Sequence, residues 1–235
     1  MSHKNIVITG GTKGIGLAIA RTFASENFNL ILCSRTKNDL LSVSDLLTYT
    51  YDVDVNTYAV DLGDQSSLQS FITEIKQQYS SIDILVNNAG WFVQGDIITE
   101  PDDHLQKMLN TNVIAPYYLC KYLIPNLSKS DHPHIFNIGS ITTKAAIPNV
   151  GSYAISKYAL KGLTTTLRHE LIDTKIKVTD VIPGATYTSS WDGVDIDPDR
   201  LIDPSDVAQS ILSAYNQSPR SVVEEIIIRP MKGDL

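Results

Sequence analysis

Seven short apolar, β-branched runs alternate with stretches of helical periodicity, and that alternation constrains the fold of this chain more than any other feature. The runs fall at 5–9, 30–33, 55–60, 82–86, 135–138, 177–182 and 226–228. After the first, Ile15, Ile19 and Phe23 recur at helical spacing, and helical patterns follow at 38–49, 66–79, 102–110, 113–124, 152–171 and 205–215. Parallel neighbours need a crossover connection, so strands alternating with helices predict βαβ units. The expected architecture is α/β, a doubly wound parallel sheet flanked by helices, as a single domain over 1–235. The one long stretch without a pattern is 184–203. In open α/β sheets ligands sit beyond the carboxyl ends of the strands, so this stretch is placed to cover a site.

Composition narrows the classes. At 235 residues and 43% apolar content, such a domain buries roughly 70–75% of its unfolded surface and needs no staple. Cys33 and Cys120 form neither a disulfide framework nor a zinc-ligand spacing. His132-Pro133-His134 has no third ligand at suitable spacing, so it reads as a loop before a strand and no metal is expected. A formal charge of −7 without a Lys/Arg block argues against a nucleic-acid partner. No run approaches 18 apolar residues, and a strand pattern starting at Asn5 leaves no room for a signal peptide. The expectation is a cytoplasmic protein with no membrane partner.

Gly10-Gly11-Thr12-Lys13-Gly14-Ile15-Gly16 lies between the first strand and the first helix. A dinucleotide pyrophosphate docks at such a place, on free helix amides and the positive dipole end. Glycines are expected because a Cβ would block the turn and the approach of backbone to phosphate. This implies a sheet of the Rossmann type. After the second strand the chain reads Cys33-Ser34-Arg35-Thr36, with no acid before Asp39 to take ribose hydroxyls. Arg35, with Lys13 adding a second charge, suits a 2′-phosphate, which points to NADP(H).

Tyr153 and Lys157 lie four apart on a helix and share a face. A phenol works as acid or base at neutral pH only when a nearby cation stabilises its phenolate. Tyr117 and Lys121 have the same spacing. Ser140, thirteen residues before Tyr153 and at the end of a strand, can hydrogen-bond a carbonyl oxygen, whereas His104 stands thirteen before Tyr117. Tyr153 is therefore the expected acid, and Tyr117 a core or interface aromatic.

Over nearly its whole length the sequence resembles the short-chain dehydrogenase/reductase family. The shared motifs are Thr9-Gly10-x3-Gly14-x-Gly16, Asp61 after the third strand, Asn87-Asn88-Ala89-Gly90 after the fourth, Asn112, Ser140, Tyr153-x3-Lys157, and Pro183-Gly184 with Thr188. The resemblance implies a cofactor site formed by Gly10, Thr12, Lys13, Gly14, Ile15, Gly16, Ser34, Arg35, Asp61, Leu62, Asn88, Ala89, Gly90, Pro183, Gly184 and Thr188, with Tyr153 and Lys157 at its nicotinamide end. Asp61 would contact the adenine. Catalysis would use Asn112, Ser140, Tyr153 and Lys157, with Asn112 holding a water in a proton relay that ends at Lys157. Hydride would pass from the reduced nicotinamide to a carbonyl carbon as Tyr153 gives the oxygen its proton.

The residues beyond the core speak to substrate and partners. Tyr187 and Trp191, four apart in the covering stretch, would make an aromatic wall on one helical face, followed by an acidic rim of Asp192, Asp195, Asp197 and Asp199. The segments 183–191 and 219–230 resemble bacterial sepiapterin-reductase-type members of the family. A small-molecule carbonyl, sepiapterin-like or a diketone, is the expected substrate. The alternatives are a 3-oxoacyl-acyl-carrier-protein reductase, with Lys129 and Lys175 as a local basic patch, and a non-catalytic NADP-binding sensor or scaffold. Tyr117, Tyr118 and Tyr122 with Leu160, Leu163 and Leu167 match the family's dimer-forming helix pair and imply a homodimer or homotetramer.

Overall fold

The computed structural model describes residues 3–191 and 193–234; Asp192 of the expected acidic rim lies outside them. The seven strands are β1 (Lys4–Thr9), β2 (Phe28–Ser34), β3 (Val55–Ala59), β4 (Ile84–Asn87), β5 (His134–Ile138), β6 (Lys177–Pro183) and β7 (Glu225–Ile228). They form one all-parallel sheet in the order β3-β2-β1-β4-β5-β6-β7. The helices are α1 (Gly14–Ser25), α2 (Lys37–Thr50), α3 (Gln65–Gln78), α4 (His104–Leu109), α5 (Ala115–Leu127), α6 (Gly151–Glu170) and α7 (Pro204–Tyr215). This is the expected doubly wound α/β fold.

The strands read as unbroken apolar runs because both faces of the sheet are covered. Ile6 and Ile8 of β1, with Leu30 and Leu32 of β2, pack with α1, α2 and α7. Val7 and Ile31, one residue out of phase, pack with α3, α5 and α6. Phe23, Phe28 and Tyr215 close the first face in edge-on contacts with centroids 5.1–6.0 Å apart. β1 lies between β2 and β4, so the chain crosses from one side of the sheet to the other there, and the carboxyl ends of β1 and β4 flank the switch point.

Two helical features differ from expectation. The patterns at 102–110 and 113–124 belong to one continuous helical run, in which α4 and α5 are joined by a π-helical turn, Asn110–Ile114. Pro116 has no N–H for the Asn112 carbonyl, and the run bridges the defect with an i→i+5 bond from Ala115 to Asn110. Leu160 and Leu167 are buried, and Leu167 belongs to the core under α6 with Leu163 partly buried against it. Leu160 and Leu167 therefore offer little surface to a partner. The exposed apolar residues of α5, α6 and the π turn are Ile114, Tyr117, Ile155 and Tyr158.

His134 opens β5 in the core, stacked on Phe136 at 3.9 Å, with its Nε2 2.7 Å from Thr179 Oγ1. Thr179 donates its own proton to the Val223 carbonyl, so this bond assigns the Nε2–H tautomer and leaves Nδ1 without a partner. Burial, aided by Lys177 and His132, pushes its pKa down to about 3. An unfolded histidine takes up its proton near pH 6.5, so the unfolded state binds more protons between those values. Stability should therefore fall as pH drops below about 6.5. Chemical denaturation at several pH values should show a shallower acid loss in His134→Leu, whereas equal slopes for the two proteins would remove this assignment.

Candidate active site

The site lies along the carboxyl ends of β1, β4, β5 and β6. Its floor is set by close backbone approach. Gly10 and Gly14 have positive φ, 66° and 50°. A Cβ on Gly16 would run into the Gly10 carbonyl oxygen and stand 2.5 Å from Asn88 Nδ2, while one on Gly14 would stand 2.7 Å from the Thr188 methyl. The glycines are thus demanded by packing within the chain as well as by any phosphate. Thr188 lies against Gly14 of the glycine turn, and Thr186 bridges Ile202.

The residues at this turn bear on nucleotide binding. The first turn of α1 has no side-chain cap, whereas Asp64 and Asp203 cap α3 and α7. Its amides are therefore available to an anion. Ser34 Oγ is buried with no hydrogen-bond partner at the end of β2. Arg35 beside it is exposed, as is Asp61, and Asp61 Oδ1 accepts from Gly63 N at 2.9 Å. Thr12 and Leu62 are buried, and Ile15 packs on the core. Pro183 ends β6, and Gly184 N donates to Ile228 O at 2.8 Å. These features fit a dinucleotide. Lys13 departs from expectation: its Nζ lies 3.1 Å from Asp39 Oδ2, so its charge is already shared with an acid.

The turn after β4 is tied to β1. Asn88 Nδ2 donates to Thr9 O at 2.9 Å and Gly10 O at 3.1 Å, and the Asn88 and Ala89 amides both donate to Thr9 Oγ1 at 2.9 Å. Gly90 follows, where an added Cβ would make only ordinary contacts with Asn112 and Lys157. The Asn112 side chain accepts from Trp91 N at 2.8 Å and donates to Trp91 O at 3.0 Å and to Ser156 Oγ at 2.9 Å. Its side chain therefore clamps the β4 loop to α6.

Ser140, Tyr153 and Lys157 come together as expected. Lys157 Nζ donates to the Ile138 carbonyl at 2.8 Å and lies 5.5 Å from the Tyr153 ring centroid. Burial pushes the Lys157 pKa down to about 8, against a pull upward from Asp180. Burial also raises the Tyr153 phenol, which a hydrogen bond with Ser140 draws partly back. Burial is the largest influence on the phenol, and the Lys157 ammonium beside it spends a bond on a carbonyl. Tyr117, by contrast, is exposed, with Lys121 Nζ 5.8 Å from its ring centroid.

Several further residues, not singled out by any motif, surround this group. Phe92 meets the Tyr153 ring edge-on at 4.8 Å. Ser156 carries the Asn112 clamp, and Ser152, next to Tyr153, donates to Glu100. Ser152 and Ser156 flank Tyr153 in sequence; nothing local marks Glu100. Tyr187 and Trp191 do not share a helical turn. Tyr187 precedes the short 3₁₀ turn Ser189–Trp191, held by its N–H bond to Ile202 O, and its ring is exposed. The aromatic ring on the phenol is Phe92.

Comparison with known proteins gives the family. The model of the short chain dehydrogenase family matches residues 4–198. The chain belongs to that family. It is 35% identical to the sepiapterin reductase of Chlorobaculum tepidum over 98% of its own length and 97% of that protein's. A metagenomic short-chain oxidoreductase solved in complex with NADP superposes with a TM-score of 0.83 at 28% identity, covering 97% of both chains. The L-sorbose reductase of Gluconobacter frateurii, solved with NADPH and L-sorbose, superposes at 0.90 with 25% identity, over 98% of this chain and 96% of that one.

The glycines give opposite predictions. Gly16→Ala should lose about 1–3 kcal/mol of stability through overpacking against Gly10 and Asn88. Gly162→Ala, in the interior of α6 with nothing within 4 Å of its Cβ position, should gain up to about 1 kcal/mol. Thermal unfolding of both checks this, and an unperturbed Gly16→Ala would rule out the close approach.

Proposed function

We propose that the protein is an NADPH-dependent reductase of a small-molecule ketone, with a pterin side-chain ketone or a diketone as the substrate class. The observation that carries this is the grouping of Ser140, Tyr153 and Lys157 beside Gly90 of the turn that Asn88 ties to the glycine turn. Similarity to a sepiapterin reductase and to structures solved with NADP or NADPH supports it.

The bound cofactor would supply a hydride. The residues of the chain do the rest. Ser140 and Tyr153 hold the carbonyl oxygen, and Tyr153 gives up its proton as negative charge develops there. Lys157, fixed on the Ile138 carbonyl, faces the resulting phenolate with a cation. Arg35 takes the 2′-phosphate, and the α1 amides take the pyrophosphate. Phe92 forms an apolar edge beside the phenol, suited to a flat or apolar group next to the reacting carbon.

No helix among the described residues is long and apolar enough to cross a membrane. We place the protein in the cytoplasm, in keeping with its two buried free thiols. We also propose a homo-oligomer formed through Ile114, Tyr117, Ile155 and Tyr158, the exposed apolar residues of the π turn, α5 and α6. Light scattering should give a multiple of 25.9 kDa. A monomer at micromolar concentration would exclude it.

NADPH consumption with a pterin side-chain ketone, a 2,3-diketone and an acetoacetyl thioester tests the reading. Turnover of the first two is expected. A preference for the thioester would favour the acyl-carrier-protein reductase, and tight NADPH binding without any turnover would favour a sensor. Tyr153→Phe should abolish turnover and leave NADPH binding nearly intact. NADPH should bind at least about tenfold more tightly than NADH, and Arg35→Ala should remove most of that gap. Equal affinities in the unaltered protein would refute the assigned role of Arg35.

A further inference from the structure

The side of α6 that meets the sheet is polar at positions where a packed helix is ordinarily apolar. Lys157 reaches the Ile138 carbonyl of β5, and Thr164 takes a bond from Asn137 of the same strand. Arg168 donates from Nε to the Val178 carbonyl of β6, and Lys161 lies 3.4 Å from Glu225 of β7. Among these cations β6 projects Asp180, in register with Asn137 on one side and Glu225 on the other. It is 3% exposed, and its Oδ1 meets no donor. That oxygen lies against Gly139, where a Cβ would stand 2.7 Å from it. Gly139 directly follows Ile138, whose carbonyl holds Lys157. A buried carboxylate oxygen without a partner is costly, and packing gives no reason to keep one in a central strand.

We propose that Asp180 is a positioning residue of the active site, its carboxylate supplying from beneath the β5–β6 seam the counter-charge that keeps the Lys157 ammonium in place beside Tyr153. This rests on the reading of Lys157 as the cation that serves Tyr153. The other charged groups around the pair are already matched. Glu225 is held by Lys144 at 2.6 Å as well as by Lys161, and Glu224 by Arg168 at 3.4 Å. Tyr153 is neutral, and Ser140 carries no charge. Burial pushes Asp180 up to about 6, with Glu225 adding to the rise and Lys161, Arg168 and Lys157 opposing it. Asp180 is therefore ionised from about pH 6 upward, and Lys157, pushed down to about 8, meets that charge throughout the interval in which burial would strip its proton. Removing the carboxylate charge should lower the Lys157 midpoint.

The experiment is an NMR titration of protein labelled with 13C at lysine Cε, the Lys157 signal being the one missing in Lys157→Met. The midpoint should lie near 8 and fall by about one pH unit in Asp180→Asn. The basic limb of kcat/KM for ketone reduction should move with it, giving roughly five- to tenfold lower activity at pH 8.5 and a change under about twofold at pH 6. Glu224→Gln, on the exposed rim, should leave both unchanged. If Asp180→Asn does not fold, the smaller Asp180→Ser should show the same shift. A Lys157 midpoint that stays put in a folded variant overturns the proposal. A midpoint that moves while the limb stays refutes the role of Lys157 in the reaction, and with it the catalytic part of the proposal.

Discussion

The carboxyl edge of this sheet is organised by the side-chain amide of Asn88, which spends its protons on the carbonyls of Thr9 and Gly10. Thr9 returns the tie, its hydroxyl accepting from two successive amides after β4 and donating to Val86 O at 3.3 Å. These bonds join the two halves of a doubly wound fold where they diverge. They also fix the Gly10 carbonyl so firmly that the first turn of α1 must pass beside it, which leaves no room for a side chain at Gly16. The helix then starts with its free amides facing the cleft. A neutral hydrogen bond contributes only about 0.5–1.5 kcal/mol, but a buried donor left unpaired costs about 1–3. The tie is therefore defended mainly by what its loss would expose.

A second asparagine carries that order across to the catalytic helix. Pro116 denies the helical run one N–H, and the resulting π turn places Asn112 where its side chain holds both polar groups of Trp91 and the hydroxyl of Ser156. Ser156 precedes Lys157, and its hydroxyl donates back to Tyr153 O at 2.7 Å. A defect in one helix thus sets the height of Tyr153 in another.

The strand–helix order, the glycine turn and the Ser140–Tyr153–Lys157 group were legible because each is written in local spacing. The misses have a common cause. Helical periodicity shows that Leu160 and Leu167 share a stripe, yet only packing decides whether it meets the sheet or a partner. A π turn adds one residue to a helix and leaves a gap in the pattern that resembles a break, hence two expected helices where one run exists. Tyr187 and Trp191 have helical spacing, but the bond from Tyr187 N to Ile202 O holds the segment in another shape. The Lys13–Asp39 pair joins the glycine turn to α2 across the intervening β2, and no spacing rule foretells it. Asp180 did leave a trace: an acid inside the apolar run 177–182, which a strand buried on both faces should not contain.

That misplaced acid bears on the chemistry. Burial drives both members of the Tyr153–Lys157 pair toward neutrality, raising the phenol and lowering the amine. For a proton donor these shifts conflict, because the acid must start as a neutral phenol and end as a phenolate that needs a cation beside it. A drier site serves the first requirement and undermines the second. Exposing the lysine would restore its charge at the cost of hydrating the reaction, whereas a second buried charge of opposite sign restores it and keeps water out. In its proposed role Asp180, a buried carboxylate in the strand beside the Lys144–Glu225–Lys161 cluster, would supply that charge. On this account the polar side of α6 lets the sheet carry a charge pair that an apolar helix face could not support.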